Sequence, residues 1–271
     1  MQPVIKWAGG KRQLLDNLKK DMPLDIRTYV EPFVGSGALF FDIVPQRSII
    51  NDFNPELINM YIRIRDDLNE LLKVLDVFQK EFMDRDETRK ETYYYDKREA
   101  FNENILSSDL TIEDAALMIF LNKTCYNGLY RVNSSGLFNT PYGKRKIVRL
   151  YDKENILACS NALRNTVILQ GDFEEACKNL RKNDFVYFDS PYYNTFDTYQ
   201  AGGFPKKEHE RLARLFNRLS QRGIYCMLSN SDTEYIRELY SQYRIEVVPA
   251  MRMINCDGKN RTGTEIIVRN Y

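Results

Sequence analysis

Residues 29–41 read Tyr29-Val30-Glu31-Pro32-Phe33-Val34-Gly35-Ser36-Gly37-Ala38-Leu39-Phe40-Phe41, and this stretch decides the fold. It predicts a strand, a Gly-x-Gly turn and an apolar helix. Nucleotide-binding βα units begin in this way, because their glycines let the backbone approach a ligand closely. The dinucleotide fingerprint needs a third glycine, which would fall where this chain has Phe40. The stretch therefore predicts a nucleotide-binding α/β fold and argues against an NAD enzyme.

The next strand of the sequence ends in an acidic residue. Residues Ser48–Asp52 predict this strand, and Asn54-Pro55-Glu56 starts a helix with proline in its first turn. The carboxylate of Asp52 is placed to accept hydrogen bonds from ribose hydroxyls. Strand, glycine turn, helix, strand and acid together predict a site for an adenosine ligand, but they do not distinguish adenosylmethionine from other adenosine compounds.

The rest of the chain divides into a helical block and a returning α/β alternation. From Leu57 to about Asn122 the strand pattern gives way to helical periodicity, which indicates an insertion. Beyond it, we expect six or seven strands in a mixed, mostly parallel sheet with a hairpin at its end, and a helix after Gly171-Asp172-Phe173. Ligands bind such sheets at the carboxyl ends of the strands. The residues expected at that edge are Gly35, Asp52, Asp172 and Asp189.

A strand over Phe185–Asp189 leads into Asp189-Ser190-Pro191-Tyr192. A carboxylate, a proline-restrained backbone and an aromatic ring suit one task, which is to hold a flat, amine-bearing ring while its nitrogen attacks. Methylation of an amine on a nucleic acid base is the hypothesis that these residues support. Seen alone, the motif could also be a strand-ending turn that Asp189 caps and Pro191 breaks.

Several polar stretches could contact a nucleic acid. Residues 122–146 are rich in glycine, asparagine and aromatic residues and end in Lys144-Arg145-Lys146. Arginine and asparagine read base edges, and lysine and arginine hold phosphates. A solvated hairpin is the alternative for this tract. The Gly9-Gly10 turn with its flanking cations could approach an anion, residues 195–204 could form a lid, and residues 252–263 form a second basic loop.

Composition excludes several classes of protein. The 271 residues are 43% hydrophobic and 28% charged, with a net charge of +1, so a nucleic acid would have to bind a local basic face. No apolar run nears the roughly 18 residues of a membrane span, and a signal-peptide pattern is absent, so we expect a cytoplasmic protein. Five separated cysteines and one histidine predict no metal site or disulfide framework. His209 lies in a charged stretch and is predicted to be solvated.

In its ordered motifs the chain resembles the Dam-type, alpha-group DNA adenine N6-methyltransferases. The resemblance runs from Lys6 to the C-terminus. The motifs that carry it are Lys6-Trp7-Ala8-Gly9-Gly10-Lys11, Glu31-Pro32-Phe33-Val34-Gly35-Ser36-Gly37, Asn51-Asp52-Phe53-Asn54, Tyr126-Asn127-Gly128-Leu129-Tyr130-Arg131 and Asp189-Ser190-Pro191-Tyr192. It implies a Rossmann-like, S-adenosyl-L-methionine-dependent catalytic core (residues 1–57 and 146–271) with an inserted target-recognition domain (58–145). The insertion would lie between the second and third core strands.

The resemblance also implies a function for each matching residue. The catalytic motif would be Asp189, Ser190, Pro191 and Tyr192. The donor site would comprise Trp7, Lys11, Phe33, Gly35, Gly37, Asp52, Asp172 and Phe173. The residues matching those that GATC-reading members use on DNA are Lys6, Tyr126, Asn127, Leu129, Arg131 and Pro141. The implied partner is double-stranded DNA, bound by a nucleoid-associated protein that is monomeric in solution and needs no metal.

The implied reaction has one irregular feature. Asp189 and the carbonyl of Ser190 would accept the two N–H groups of a flipped adenine, and Tyr192 would stack on it. The family usually has proline where this chain has Ser190, so the proline φ lock at that position is absent. Ser190 therefore leaves a weakly active or non-catalytic DNA-binding relative as one alternative. Another target sequence, and methylation of RNA or protein amines, are further alternatives that do not depend on Ser190. Membership in a restriction system and a preference for hemimethylated sites stay open.

Overall fold

The computed structural model describes residues 1–7, 11, 13–107, 110–145, 147–193, 203–251 and 262–271. Its helices are α1 (Leu15–Lys20), α2 (Ala38–Ile43), α3 (Pro55–Asp66), α4 (Leu68–Met83), α5 (Glu87–Ser107), α6 (Ile112–Thr124), α7 (Lys153–Leu163), α8 (Lys206–Gln221) and α9 (Glu234–Leu239). Its strands are β1 (Tyr29–Glu31), β2 (Ser48–Asp52), β3 (Thr166–Gln170), β4 (Phe185–Phe188), β5 (Tyr225–Ser231), β6 (Arg244–Met251) and β7 (Thr262–Arg269).

Within the described ranges, the seven strands form one sheet in the order β3-β2-β1-β4-β5-β7-β6. Strand β7 pairs antiparallel with β5 and β6, and the other pairs are parallel. The predicted mixed, mostly parallel α/β fold with a terminal hairpin is therefore confirmed. The chain fills the sheet outward from β1 in one direction and from β4 in the other. The switch point between β1 and β4 is where such sheets bind ligands.

The helices α4, α5 and α6 lie between β2 and β3 in the chain, as the helical periodicity predicts. A capping box at Thr111 and Asp114 starts α6. Helix α6 is apolar on all sides and is buried among its neighbours, including Phe78 and Phe82 of α4. One hydrophobic cluster contains these helices together with Tyr29 and Phe185 of the sheet. Because the core is shared, the domain boundaries at residues 57/58 and 145/146 remain a proposal.

The expected helix after Phe173 is replaced by a short 3-10 turn, Glu175–Cys177. This segment leaves the edge strand β3 and crosses β2 and β1 before it enters β4. The Asp172 carboxylate accepts a hydrogen bond from the Glu174 N–H at 2.9 Å, which closes a tight turn instead of a helical one. The short segment between β3 and β4 places the side chains of Phe173, Ala176 and Leu180 in the hydrophobic core that packs on the sheet.

The prediction that His209 is solvated is wrong. His209 is 2% exposed, and its ring lies edge-on to Phe204 at 4.8 Å and to Tyr193 at 5.5 Å between ring centroids. Burial lowers its pKa to about 4. The charged neighbours of His209 occupy the outer side of α8, whereas the buried face follows helical spacing. That face comprises His209, Leu212, Leu215, Phe216 and Leu219.

Four predicted features fall partly or wholly outside the described residues. These are the Gly9-Gly10 turn with Arg12, most of the loop over residues 195–204, residues 252–261 of the second basic loop, and Lys146 of the first basic cluster.

No helix in the described part of the chain combines the length and the apolar character that a bilayer span requires.

Candidate active site

The ends of β1 and β2 are joined through the Asp52 carboxylate. Its Oδ2 accepts a hydrogen bond from the Gly35 N–H at 2.9 Å, and its Oδ1 accepts one from the Asn54 N–H at 3.0 Å. The neighbouring Asn51 donates to the carbonyls of Pro32 and Gly171, each at 3.0 Å. The predicted edge therefore exists, and Asp52 orders the glycine turn that lies beside it.

The turn requires glycine at position 35. Gly35 has φ +47°, and a Cβ there would lie 2.8 Å from Cδ1 of Trp7. The Tyr61 hydroxyl donates to the Gly35 carbonyl at 2.7 Å. The Trp7 indole thus rests on the turn, and it also stacks on Tyr130 with ring centroids 4.8 Å apart. Trp7 connects the glycine turn to the tract that resembles a DNA-reading segment.

An aromatic wall stands next to the turn. Phe33 and Phe173 stack with centroids 5.2 Å apart. The guanidinium of Arg211 lies 4.5 Å from the Phe173 ring centroid. It forms ion pairs with Glu174 at 2.7 Å, Glu208 at 2.9 Å and also Asp172. Sequence reasoning did not identify Arg211, which orients both Asp172 and Phe173.

The end of β4 carries a buried ion pair. Lys11 Nζ lies 2.7 Å from Asp189 Oδ1, and the two side chains are 5% and 19% exposed. The Ser229 hydroxyl donates to the same oxygen at 3.1 Å and is itself bonded to the Tyr187 hydroxyl at 2.8 Å. Burial raises the pKa of Asp189, and the Lys11 ammonium opposes that rise. Burial lowers the pKa of Lys11, but Asp189 and its neighbours outweigh this effect and raise it overall.

Ser190 is buried and anchored by β5. Its Oγ accepts a hydrogen bond from Asn230 Nδ2 at 3.2 Å. The Oδ1 of the same amide accepts one from the Tyr193 N–H at 3.1 Å. Asn230 therefore holds both ends of the segment that contains half-exposed Pro191 and Tyr192. This side chain supplies a restraint at the position where the family's proline is missing.

A second carboxylate, that of Glu265, lies near the ion pair of Lys11 and Asp189. The Tyr192 hydroxyl donates to Glu265 Oε2, and Lys11 Nζ lies 4.4 Å from the centroid of the Tyr192 ring. At the end of β1, Glu31 accepts a hydrogen bond from the Tyr29 hydroxyl at 2.7 Å. Burial raises the pKa of Glu31 well above its ordinary value, and the charge of Asp189 adds to the rise.

The tract over residues 125–142 forms a hairpin, closed by bridges between Cys125 and Tyr142 and between Val132 and Phe138. Four of the side chains that resemble DNA-reading residues are exposed on it. They are Tyr126, Asn127, Arg131 and Pro141, and Leu129 is half-buried. The Arg131 guanidinium bonds to the side chain and backbone of Asn139 at 2.8 and 3.2 Å. The solvated hairpin and the candidate recognition surface are thus the same element.

Lys6 is joined to this hairpin by Asn122 of α6. The Asn122 Oδ1 accepts from the Lys6 N–H at 2.9 Å, and its Nδ2 donates to the Lys6 carbonyl at 2.8 Å and the Gly128 carbonyl at 3.1 Å. The exposed Lys6 side chain crosses Gly128, where an added Cβ would lie 2.9 Å from its Cδ. The structure therefore brings Lys6 beside Asn127 and Leu129, although they are far apart in the sequence.

Besides Arg211, four site residues were missed by sequence reasoning. Ser229 and Asn230 follow the apolar run of residues 224–228, so the signal that marked Asp52 and Asp189 could have identified them. Glu265 lies in the first half of the antiparallel strand β7, which begins at the edge where parallel strands end. For Asn122, no signal separates it from the other polar residues of its helix. Among the described residues, no group of His, Cys, Asp and Glu side chains could hold a metal ion.

The model of the D12 class N6 adenine-specific DNA methyltransferases matches residues 7–254, most of the chain. The chain belongs to this family.

Three relatives are similar to this methyltransferase over nearly their whole lengths. It is 38% identical to the type II methyltransferase M.MjaIII of Methanocaldococcus jannaschii, with 100% of this chain and 99% of the relative covered. It is 39% identical to the type II methyltransferase M1.LlaDCHI of Lactococcus lactis subsp. cremoris, over 100% and 96%. Identity to the DNA adenine methylase of Haemophilus influenzae is 29%, over 98% and 92%. The methyltransferase is therefore an adenine-specific enzyme whose partner is DNA.

Proposed function

We propose that the enzyme transfers a methyl group from S-adenosylmethionine to N6 of an adenine flipped out of duplex DNA, within the sequence GATC. The observation that carries this proposal is the position of Asp189 and Ser190. They follow β4, which pairs in parallel with β1, and the turn at Gly35 follows β1. An amine acceptor and a nucleotide-binding turn are therefore neighbours at one switch point.

The residues present fit the donor. The Asp52 oxygens accept backbone N–H groups that include those of Gly35 and Asn54, and a carboxylate has further lone pairs for a ribose hydroxyl. The stacked pair of Phe33 and Phe173 offers an apolar wall for an adenine ring. We assign Gly35 and Gly37 to the floor of this site, Trp7 to its cover, Asp172 to its adenine side and Lys11 to its border with Asp189. The bound donor would supply an electrophilic methyl group.

The protein acts on the amine by positioning and electrostatics. The lone pair of an exocyclic adenine amine is delocalised into the ring, so the amine is a weak nucleophile. The Asp189 carboxylate and the Ser190 carbonyl would each accept one N–H and direct the lone pair at the methyl group. Pro191 restrains the backbone, and Tyr192 would stack on the base. Such a stack contributes about 1–3 kcal/mol, comparable with the cost of unstacking.

The GATC assignment follows from the match at Lys6, Tyr126, Asn127, Leu129, Arg131 and Pro141. Lys6 and Asn127 are held side by side around Gly128, which supports a shared reading surface. The Asn230 anchor on Ser190 supports catalytic competence over a non-catalytic DNA-binding function. We further propose that the enzyme is monomeric in solution, cytoplasmic and associated with the nucleoid.

A methylation map tests the proposal. Unmethylated plasmid DNA is incubated with the protein and S-adenosylmethionine, and N6-methyladenine is located by sequencing, with RNA and protein substrates in parallel. The expected result is methylation of DNA confined to GATC. Methylation of another DNA motif would overturn the sequence assignment alone, whereas methylation only of RNA or protein would overturn the substrate assignment.

A further inference from the structure

Glu265 stands beside the residues that would hold the target base, although it belongs to β7, the last described strand along the chain. It pairs with Ser231 across β5 and β7, at the edge where the parallel strands end. The hydroxyl of Tyr192 donates to its Oε2. Glu265 therefore fixes the free end of the aromatic ring on which the base would stack, and this contact restricts the rotation of that ring.

Two carboxylates lie near one ammonium group. Lys11 Nζ is 2.7 Å from Asp189 Oδ1 and 4.4 Å from the centroid of the Tyr192 ring, whose hydroxyl contacts Glu265. Other titratable groups that act on this cluster include the hydroxyls of Tyr29 and Tyr187 and the carboxyl of Glu31. Burial lowers the pKa of Lys11, whereas the charges of Asp189, Tyr187 and then Glu265 raise it. Burial raises the pKa of Asp189, Lys11 lowers it, and the charge of Glu265 raises it further.

The reaction places two demands on Asp189. Its carboxylate would accept an N–H group of the adenine amine, which gains positive charge as it is methylated, and it is also the counter-charge of the buried Lys11 ammonium. Two buried positive groups that share one carboxylate are costly. A second carboxylate next to the cluster lowers this cost, because it can balance Lys11 while Asp189 binds the amine.

On the basis of the proposed function, we propose that Glu265 is a positioning residue of the base pocket: it holds the Tyr192 ring and carries the counter-charge of Lys11 while Asp189 binds the adenine amine. No proton or bond is exchanged with the substrate at Glu265. Its contribution is electrostatic and depends on the charge of the carboxylate, whereas its hold on Tyr192 needs only a hydrogen-bond acceptor.

This difference can be tested with Glu265→Gln and Tyr192→Phe. Glutamine can still accept from the Tyr192 hydroxyl but has no charge, and phenylalanine keeps the ring and the Glu265 charge but has no hydroxyl. The measured quantity is the single-turnover rate of methyl transfer at saturating duplex DNA and S-adenosylmethionine. We expect Glu265→Gln to lower it by about tenfold to a hundredfold, as for loss of one charged contact, and Tyr192→Phe to lower it less. Glu238→Gln, an exposed change on α9, is the matched control.

A double-mutant cycle with Lys11→Met separates the counter-charge from strand stability. If Glu265 balances the charge of Lys11, then Glu265→Gln should lower the single-turnover rate by less than about threefold in the Lys11→Met variant. Binding of the donor and DNA, the flipping signal of a 2-aminopurine target and the melting temperature are measured for each variant. Flipping should persist in Glu265→Gln.

Several outcomes would overturn the inference. The counter-charge role is refuted if Glu265→Gln lowers the rate equally in the unaltered protein and in the Lys11→Met variant. It is also refuted if Glu265→Gln and Tyr192→Phe have the same rate. If Glu265→Gln lowers the melting temperature but leaves the single-turnover rate unchanged, then Glu265 has only a structural role. If the unaltered protein methylates no DNA, the proposed function fails and the inference falls with it; methylation by wild type with a fully active Glu265→Gln variant refutes the inference alone.

Discussion

Asn122 and Lys6 are joined by two hydrogen bonds, in which the Asn122 side chain accepts from the Lys6 N–H at 2.9 Å and donates to the Lys6 carbonyl at 2.8 Å. The same Asn122 amide also donates to the Gly128 carbonyl at 3.1 Å. A buried helix residue thereby sets the spacing between an N-terminal lysine and the hairpin of residues 125–142. Trp7, next in the chain, continues the connection through Tyr130 and Gly35.

Replacement of Asn122 by alanine should weaken DNA binding as well as stability. It removes the hydrogen bonds of three backbone groups, one buried and two part-buried, and a group left without a partner costs roughly 1–3 kcal/mol when no water replaces the lost bond. The control is Asn102→Ala, because Asn102 anchors Phe138 of the same hairpin with two hydrogen bonds of 3.1 and 2.9 Å but does not contact Lys6. Melting temperatures and DNA affinity at fixed salt are measured. Equal loss of affinity in both variants would contradict a specific link between Asn122 and Lys6.

Two glycines of the same hairpin form a matched pair. Gly128 has φ +69° and Gly136 has φ +78°, so alanine at either position should cost about 1–2 kcal/mol of backbone strain. An added Cβ meets Lys6 Cδ at 2.9 Å at Gly128, whereas it meets nothing within 4 Å at Gly136. Both variants should lose similar stability by urea unfolding, but only Gly128→Ala should displace Lys6 and lower DNA affinity. A fully retained affinity in Gly128→Ala would show that Lys6 does not contact DNA.

Removal of the Asp189 carboxylate should separate catalysis from donor binding. Asp189→Ala removes an acceptor for the target amine, and we expect methyl transfer to fall by at least about a hundredfold. Binding of S-adenosylmethionine should persist, because the Asp52 carboxylate and the wall of Phe33 and Phe173 are untouched. Calorimetry and a transfer assay provide the two measurements. Equal loss of binding and transfer would refute the role assigned to Asp189.

Replacement of Ser190 by proline should change the turnover of the enzyme little. Because Asn230 Nδ2 already holds Ser190 Oγ at 3.2 Å, the φ lock of proline would replace a restraint that is present. We expect the turnover of Ser190→Pro to stay within about threefold of the unaltered enzyme, and that of Ser190→Gly to fall by about tenfold through loss of the hydrogen bond and added chain freedom. A rise of an order of magnitude in Ser190→Pro would show that the native clamp is loose.

The buried His209 should make the protein less stable in mild acid. Burial lowers its pKa to about 4 from an ordinary value of about 6.5, so the unfolded chain binds the proton more tightly than the native one. Its contribution is present above pH 6.5 and is lost as the pH falls toward 4, by about 2 kcal/mol between pH 7.5 and pH 5. Urea unfolding of the protein and of His209→Leu isolates this effect, because other groups contribute equally to both. Parallel pH profiles would refute it.

The sequence by itself determined the elements and the motifs at their ends. Apolar runs of period 2, glycine turns and the helical stretch after Leu57 are local signals, since they depend on side-chain spacing and backbone freedom. They located β1, β2 and the helical stretch between β2 and β3 correctly. Polar residues that follow strands marked Asp52 and Asp189 as neighbours, because the ends of parallel strands share one edge. The prediction of a helix after Phe173 was wrong, because the path of a segment that crosses the sheet is not determined by local sequence.

The tertiary structure alone decided which groups face each other across that edge. The pairing of Lys11 with Asp189, the contact of Tyr192 with Glu265 and the anchoring of Ser190 by Asn230 each join residues from distant parts of the chain. The same is true of His209, whose burial depends on Phe204 and Tyr193. Charge balance and desolvation are set by these neighbours in space, so residue types and spacing identify the reacting groups but not their electrostatic state.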